Sequence, residues 1–273
     1  RQILSYLKRS GSDQTVALNS DVLVNIDLNQ VFHLHNTAEP KITVVYKKLP
    51  KEQISDVNSV LEIDESDKVL SHELFQGGDQ EVYNMSTDIF VVDTPYLIEK
   101  LEEEAAKEEP RKLRYVLRDL AVAENAFAYE YTGYLSNIHS VKAYFDANLD
   151  MLESQKFYKL FAPNQKVYTK VKNEEPTYYA TSSDVKVSQF ASGSIVRGKV
   201  EHSVISRNVD LAEGSSVDHS VLFPRVKVGK GATVEYAIVD KGVEIAEGVT
   251  IRGTENNLVV IKKGSVVTED IVR

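Results

Sequence analysis

The sequence predicts two unlike halves, an α/β layer followed by a β-helix of hexapeptide repeats. Three observations predict this: an abrupt change of composition, a repeat of seventeen residues in the second half, and alternating strand and helix patterns in the first. Nine of the thirteen glycines and nineteen valines fall in 185–273, against three of twenty-three aromatic residues (Phe190, Phe223 and Tyr236). Six of the seven prolines lie earlier, and Pro163 and Pro176 flank the polar stretch Asn164 to Glu175. Such a shift marks a domain boundary. We place it between 155 and 185, with a first domain over 1–155, a linker over 156–185 and the β-helix over 186–273.

The elements of the first half follow in order. Arg1–Ser10 reads as a helix, Thr15–Leu18 as a short strand and Asn29–Asn36 as a helix. Lys41–Tyr46 is a strand, because Ile42, Val44 and Tyr46 alternate after Pro40. Val57–Ile63 and Lys68–Leu74 pair as a hairpin, and Asp88–Val92 is a buried strand. A helix runs from Pro95, in its first turn, to Ala106. Lys112–Ala123 is a helix, Ala126–Tyr131 a strand and Ser140–Leu152 a helix. Strand, helix and strand at this spacing imply an α/β layer with parallel strands.

In the second half, Glu201–Ile205 (EHSVI), Asp218–Leu222 (DHSVL) and Glu235–Val239 (EYAIV) begin three copies of one unit. Glu213–Val217, Lys230–Val234 and Glu247–Ile251 end them. Aliphatics expected to point inward are Ile205, Leu211 and Val217, then Leu222, Val228 and Val234, then Val239, Ile245 and Ile251. Four residues after most of these stands a second small or β-branched residue: Val209, Ser215, Val221, Val226, Ala232, Ile238, Val243 and Val249. A unit unable to bury its own apolar side, repeated at a fixed period, is the mark of a solenoid. Two inward positions per six residues suit a three-sided coil, whose turns stack about 4.8 Å apart so that equivalent residues form ladders. An amphipathic helix would need apolar residues recurring at alternating steps of three and four, which inward positions spaced six, six and five do not fit.

Two ladders carry chemistry. His202, His219 and Tyr236 stack at one outward corner, where two histidines could bind a metal or act as a base, although outward corners are usually solvated. Arg207, Arg225 and Lys241 approach one another at another corner. Three cations on adjacent rungs repel unless an anion or a carboxylate lies among them, so this corner is a candidate effector or anion site.

The remaining composition excludes other classes. Without cysteine there is no disulfide, thiol nucleophile or thiolate metal site, which fits a reducing cytoplasm. A net charge of −9 argues against nucleic acid. No apolar run long enough for a membrane span occurs, and no secretory leader is seen. Gly77 and Gly78 sit in a hairpin region with no helix after them, so no glycine-rich phosphate loop is present. The chain opens at Arg1 in helical sequence, and an α/β sheet that starts with a helix lacks its first strand and phosphate loop. We therefore read the sequence as a fragment.

Three segments carry a family resemblance: Asn19–Asp27 (NSDVLVNID), Gly133–Asn148 (GYLSNIHSVKAYFDAN) and Val221–Gly229 (VLFPRVKVG). With an α/β half before a hexapeptide coil, the chain resembles the sugar-nucleotide pyrophosphorylases, and among them the glucose-1-phosphate adenylyltransferases of bacterial glycogen formation. Within that family it is similar to the GlgD-type subunit, the partner of a catalytic GlgC-type subunit in Gram-positive bacteria. The resemblance runs over essentially the whole chain. It implies a Rossmann-like nucleotidyltransferase domain, incomplete at its N-terminus, and a left-handed β-helix. It further implies a cytoplasmic oligomer, both with itself and with a catalytic paralogue, and ATP, glucose 1-phosphate and ADP-glucose as ligands.

The same resemblance implies a damaged site. In this family two aspartates hold the Mg²⁺ that stabilises charge on the transferring phosphate. The first is Asp21 here, with serine and valine in place of its glycine and histidine neighbours; the second position is Asn137, whose neutral amide is a poorer ligand for a hard cation. The sugar-contacting Ser-Met-Gly becomes Ser86-Thr87-Asp88. The family's Glu-Lys-Pro lysine has no clear counterpart between Val57 and Leu74. No catalytic residue is then intact; Asp21 and Asn137, with Ser86 and Asp88, are vestiges, and Mg²⁺ is held weakly by Asp21 or not at all. The residues alone also allow Asp21 and Asn137 to be helix caps. A non-catalytic regulatory subunit is the reading that results; a catalytically active sugar-phosphate nucleotidyltransferase, and a hexapeptide acyltransferase or scaffold, are the alternatives.

Overall fold

The computed structural model describes residues 2–161, 166–170 and 172–273; Arg1 and parts of the polar stretch, including Pro163 and Asn164, lie outside the described residues. Two compact units result, Arg1–His139 and Ser140–Arg273. Among the described residues no helix is long and apolar enough to cross a membrane.

The first unit is a mixed sheet between helices. Its elements are α1 (Gln2–Ser10), β1 (Gln14–Ala17), β2 (Val22–Val24), α2 (Leu28–Ala38), β3 (Ile42–Pro50), β4 (Ser59–Ile63) and β5 (Val69–Leu74), followed by β6 (Val82–Asp93), α3 (Thr94–Ala105), α4 (Leu113–Ala123), β7 (Phe127–Glu130) and β8 (Leu135–Asn137). The main sheet runs β5-β4-β6-β3-β7, with β1 also on β6. The expectation of parallel strands holds for β3 and β7 alone; β3–β6, β4–β5, β4–β6 and β1–β6 are all antiparallel. The reason is the hairpin β4–β5, which returns the chain to β6 beside β3 without a helical crossover.

Alternation along β3 and β6 assigns the two faces. Ile42, Val44, Phe90 and Val92 pack with Leu7 of α1, Leu97 of α3 and Leu117 and Ala121 of α4. Val45, Ile89 and Val91 pack on the other face with Val31 of α2. The small antiparallel pair β2–β8 was not legible in the sequence, being only three residues long on each side.

The second unit contains helices α5 (Val141–Leu149) and α6 (Ser154–Leu160) and a β-helix whose three parallel sheets have six, five and six short strands. Residues step by seventeen along each ladder, as in Val200↔Val217↔Val234↔Ile251. After a first step of seventeen from Tyr178 to Ile195, the next turn is two residues shorter, as where Val185 pairs with Val200 and Ile195 with Asp210. The last is longer: Val239 pairs with Ile261, and the extra residues form a tight turn closed by a bridge between Thr254 and Asn257. All nine aliphatics expected to point inward are buried in one core. Of the second set, Val221 and Ile238 differ. They face outward from their sheet and pack with Phe145 of α5 and Leu258, whereas their neighbours Leu222 and Val239 fill the interior.

That packing explains why the second unit starts at Ser140, ahead of the composition shift: α5 covers an apolar face of the coil. Its N-cap is Ser140, whose hydroxyl accepts from the Ala143 N–H at 3.1 Å. Of the span expected to be a linker, Ser154–Leu160 is helix and the strands Tyr178–Tyr179 and Asp184–Lys186 already pair into the coil.

A serine ladder supports one corner of the coil. The Ser203 hydroxyl donates to the Glu201 carbonyl at 2.7 Å and accepts from the Ser220 N–H of the next coil at 3.1 Å. Ser220 repeats the arrangement with the Asp218 carbonyl and the Ala237 N–H. These N–H groups are buried and need an acceptor, so the serine in each His-Ser-Val triplet satisfies a rung of backbone.

Candidate functional site

Ser86, Thr87 and Asp88 form a bulge in β6. Opposite them the β3 partners jump from Val45↔Ile89 to Tyr46↔Ser86, leaving Thr87 and Asp88 unpaired in the ladder. Asp88 there takes φ +53°. This left-handed conformation favours glycine, the residue the family resemblance places at this position, and aspartate is among the few others that tolerate it. The Thr87 hydroxyl donates to the Val45 carbonyl at 2.8 Å and fixes the bulge. Ser86 is buried and its hydroxyl accepts from the Asp88 N–H at 3.2 Å.

The Asp88 carboxylate is occupied by arginines. Arg118 Nε and Nη2 grip it in a two-pronged bond at 3.0 and 2.6 Å, and Arg114 Nη2 adds a third contact at 3.2 Å. Asp88 and Arg118 are almost wholly buried, at 6% and 8% side-chain exposure. Arg114 also reaches the exposed Asp21 carboxylate at 3.5 Å, so one guanidinium ties two of the predicted site residues together. A cleft of about 200 Å³ opens beside them, lined by Asn19, Asp88, Phe90, Arg114 and Leu117 among others. The two arginines were missed in the sequence, although their i, i+4 spacing puts both on one face of α4.

Across the β4–β5 hairpin, His72 of β5 comes close to the Asp88 carboxylate. Its Nε2 lies 2.9 Å from the Ser59 hydroxyl and 4.0 Å from Asp88 Oδ1. Its Nδ1 is buried and has no hydrogen-bond partner. Burial pushes the imidazole down to about 4; Asp88 raises it and Arg118 opposes that.

Asp21 and Asn137 are neighbours on the β2–β8 pair. Val22 faces Asn137 in register, and the Ile138 N–H donates to the Asp21 carbonyl at 2.7 Å. Their side chains serve different networks. Asn137 is buried; its amide nitrogen donates to the Gln53 carbonyl at 2.9 Å and to Asn58 Oδ1 at 2.8 Å, and its oxygen accepts from Asn58 Nδ2 at 3.1 Å. Neither residue caps a helix: Asp27 caps α2 and Ser140 caps α5. His139 is exposed.

This donor set does not fit Mg²⁺. Mg²⁺ is usually held through one or two carboxylates with waters, and here Asp21 has a guanidinium at 3.5 Å, Asp88 is held by two, and the Asn137 oxygen accepts from Asn58.

At the other predicted corner, the Arg225 N–H donates to the Arg207 carbonyl on the adjacent coil at 3.0 Å, and Lys241 accepts from the Gly264 N–H of the coil beyond. Glu174 Oε2 lies 3.8 Å from Arg207 Nε, which places a carboxylate beside one of the three cations. Arg225 and Lys241 are exposed.

The structure thus defines an α/β unit followed by a hexapeptide-repeat coil. Comparison with known proteins agrees. Residues 170–272 match the family model described as the GlmU-like C-terminal hexapeptide. The chain is similar to the glycogen biosynthesis protein GlgD of Bacillus subtilis (strain 168), at 27% identity over 214 residues, 78% of this chain and 52% of that protein. It is also similar to glucose-1-phosphate adenylyltransferases, at 27% identity to that of Bacillus mycoides (strain KBAB4) over 79% of this chain and 58% of the relative. For that of Geobacillus stearothermophilus the identity is 26%, covering 79% and 56%. The resemblance read from the three motifs is thus borne out, and the chain spans about half the length of the curated relatives it matches.

Proposed function

We propose that this chain is part of a non-catalytic, regulatory subunit of a glucose-1-phosphate adenylyltransferase, acting in bacterial glycogen synthesis by assembly with a catalytic paralogue. The observation that carries this reading is the internal occupation of the site. The position equivalent to the family's glycine bears a carboxylate, and that carboxylate is neutralised by Arg118 and Arg114 rather than left to bind sugar or metal. Asn137, where the second metal-binding aspartate belongs, is tied to Asn58 and Gln53. A subunit built this way keeps the fold for assembly and has lost the ligands for phosphoryl transfer. ATP, glucose 1-phosphate and ADP-glucose then belong to the catalytic partner's cycle, and Mg²⁺ is weakly held or absent here.

The test uses the full-length protein with ATP, glucose 1-phosphate and Mg²⁺, alone and mixed with its catalytic paralogue, and follows pyrophosphate release. The expected result is no release by the protein alone and a changed kcat, KM or effector response in the mixture. Robust release by the protein alone overturns the non-catalytic reading. Unchanged partner kinetics overturn the regulatory one.

A further inference from the structure

We propose that the coil corner formed by His202, Asp218 and His219 binds a divalent transition-metal ion of the zinc or nickel class. The three residues come from two consecutive coils, with Glu201 paired in register to Asp218. Their ligand atoms lie within 4.8 Å of one another. Asp218 Oδ1 is 2.9 Å from His219 Nδ1 and 3.9 Å from His202 Nδ1, which lies at the same 3.9 Å from Glu201 Oε1, so both imidazoles have a nitrogen within reach of one carboxylate oxygen. Bonds of about 2 Å to a shared ion set ligand atoms roughly 3.3 Å apart, so His202 must move inward while the Asp218–His219 pair opens slightly. These are half-exposed side chains, free to make that movement, and their exposure leaves room for water to complete the coordination.

The charge pattern along the ladder supports the site. On the rungs to either side, Glu201 is paired with Lys199 at 3.1 Å and Glu235 with Arg252 at 2.5 Å. Asp218, the middle rung, has the two histidines as its ion-pair partners among the described residues. Its negative charge is thus directed at imidazoles, which are ligands, rather than at a lysine or arginine, which would compete with a metal.

The backbone of the corner is set before any ion arrives, and the imidazoles above it have only to tilt out of a stack that stands at 4.7 Å and 21°, with Tyr236 on His219 at 4.9 Å and 16°. Hydrogen bonds between coils fix the backbone, from the His202 N–H to Lys186, from His219 to Glu201 and from Tyr236 to Asp218. Two imidazoles with one carboxylate suit zinc, nickel or copper and are poorly matched to magnesium or calcium, which prefer all-oxygen shells.

The experiment is a titration of the chelator-treated chain with Zn²⁺ and with Ni²⁺ by isothermal calorimetry. One ion per chain is expected. Asp218→Asn and His219→Asn should each weaken binding about tenfold or more, and His139→Gln, on an exposed histidine elsewhere, should leave it unchanged. Asparagine is chosen at 219 because the backbone there has φ +39°, which asparagine tolerates. A zinc-dependent rise in the melting temperature of the unmodified chain, lost in Asp218→Asn, gives a second readout should one variant fold poorly. Absence of saturable binding overturns the proposal. So does binding that persists in His219→Asn and Asp218→Asn, or that disappears with His139→Gln.

Discussion

Replacing Arg118 by methionine is expected to lower stability by about 3–5 kcal/mol. Methionine preserves much of the side-chain volume, so the loss is electrostatic: the Asp88 carboxylate stays buried and keeps only the single 3.2 Å contact to Arg114. Breaking a buried, two-pronged ion pair from one side leaves a desolvated charge without its partner, and that is costly. Asp88→Asn retains a residue that accepts φ +53° but leaves Arg118 unpaired, and it should be destabilising for the mirror reason. The double variant should cost clearly less than the two single losses together, since removing both charges removes the uncompensated one. Urea unfolding of the four proteins measures this cycle. A loss below about 1 kcal/mol for Arg118→Met, or strictly additive single effects, would show that the pair does not hold the bulge.

Stability should also fall by about 2 kcal/mol between pH 7 and pH 5 through His72 alone. Burial holds this imidazole neutral in the folded chain down to about pH 4, whereas in the unfolded chain it takes up a proton near pH 6.5. Below pH 6.5 the unfolded state therefore binds more protons than the folded one. The stability that His72 contributes is complete above that value and is lost as the pH falls toward 4. His72→Gln can keep a hydrogen bond to Ser59 and has nothing to titrate, so its unfolding free energy should follow a flatter course over the same interval. Carboxylates act equally in both proteins, and the difference isolates the histidine. Parallel pH profiles for the two would contradict the assignment.

Much of this structure was written in the sequence in a form that periodicity exposes. The seventeen-residue step located all nine aliphatics expected inward from Ile205 to Ile251, because in a solenoid the same position faces the same core on each coil. The outward role of Val221 and Ile238 was hidden, since an aliphatic beneath a helix looks no different from one inside the coil. Only the position of Phe145 on α5 reveals it. In the first unit β3 was legible from alternation and the four helices from their patterns, only the Asp88–Val92 half of β6 was read, and β2 and β8 are too short to carry a pattern. The site was half legible. Motif comparison pointed to Asp21, Asp88 and Asn137, but not to the partners that engage their side chains. Arg118 lies thirty positions from Asp88, and Asn58 far from Asn137, so each pairing depends on the sheet that brings them together. The bulge that sets Asp88 at positive φ is likewise a property of two strands read against each other.

The central claim is that the family's metal position is disabled by its own neighbours, and a Mn²⁺ titration followed by electron paramagnetic resonance tests it most directly. Mn²⁺ stands in for Mg²⁺ at oxygen sites, and the comparison is between the unmodified chain and Asp21→Asn. The account predicts that the two bind Mn²⁺ alike, because Asp21 is engaged by Arg114 and Asn137 offers no free oxygen. A Mn²⁺ site present in the unmodified chain and lost on Asp21→Asn would contradict it.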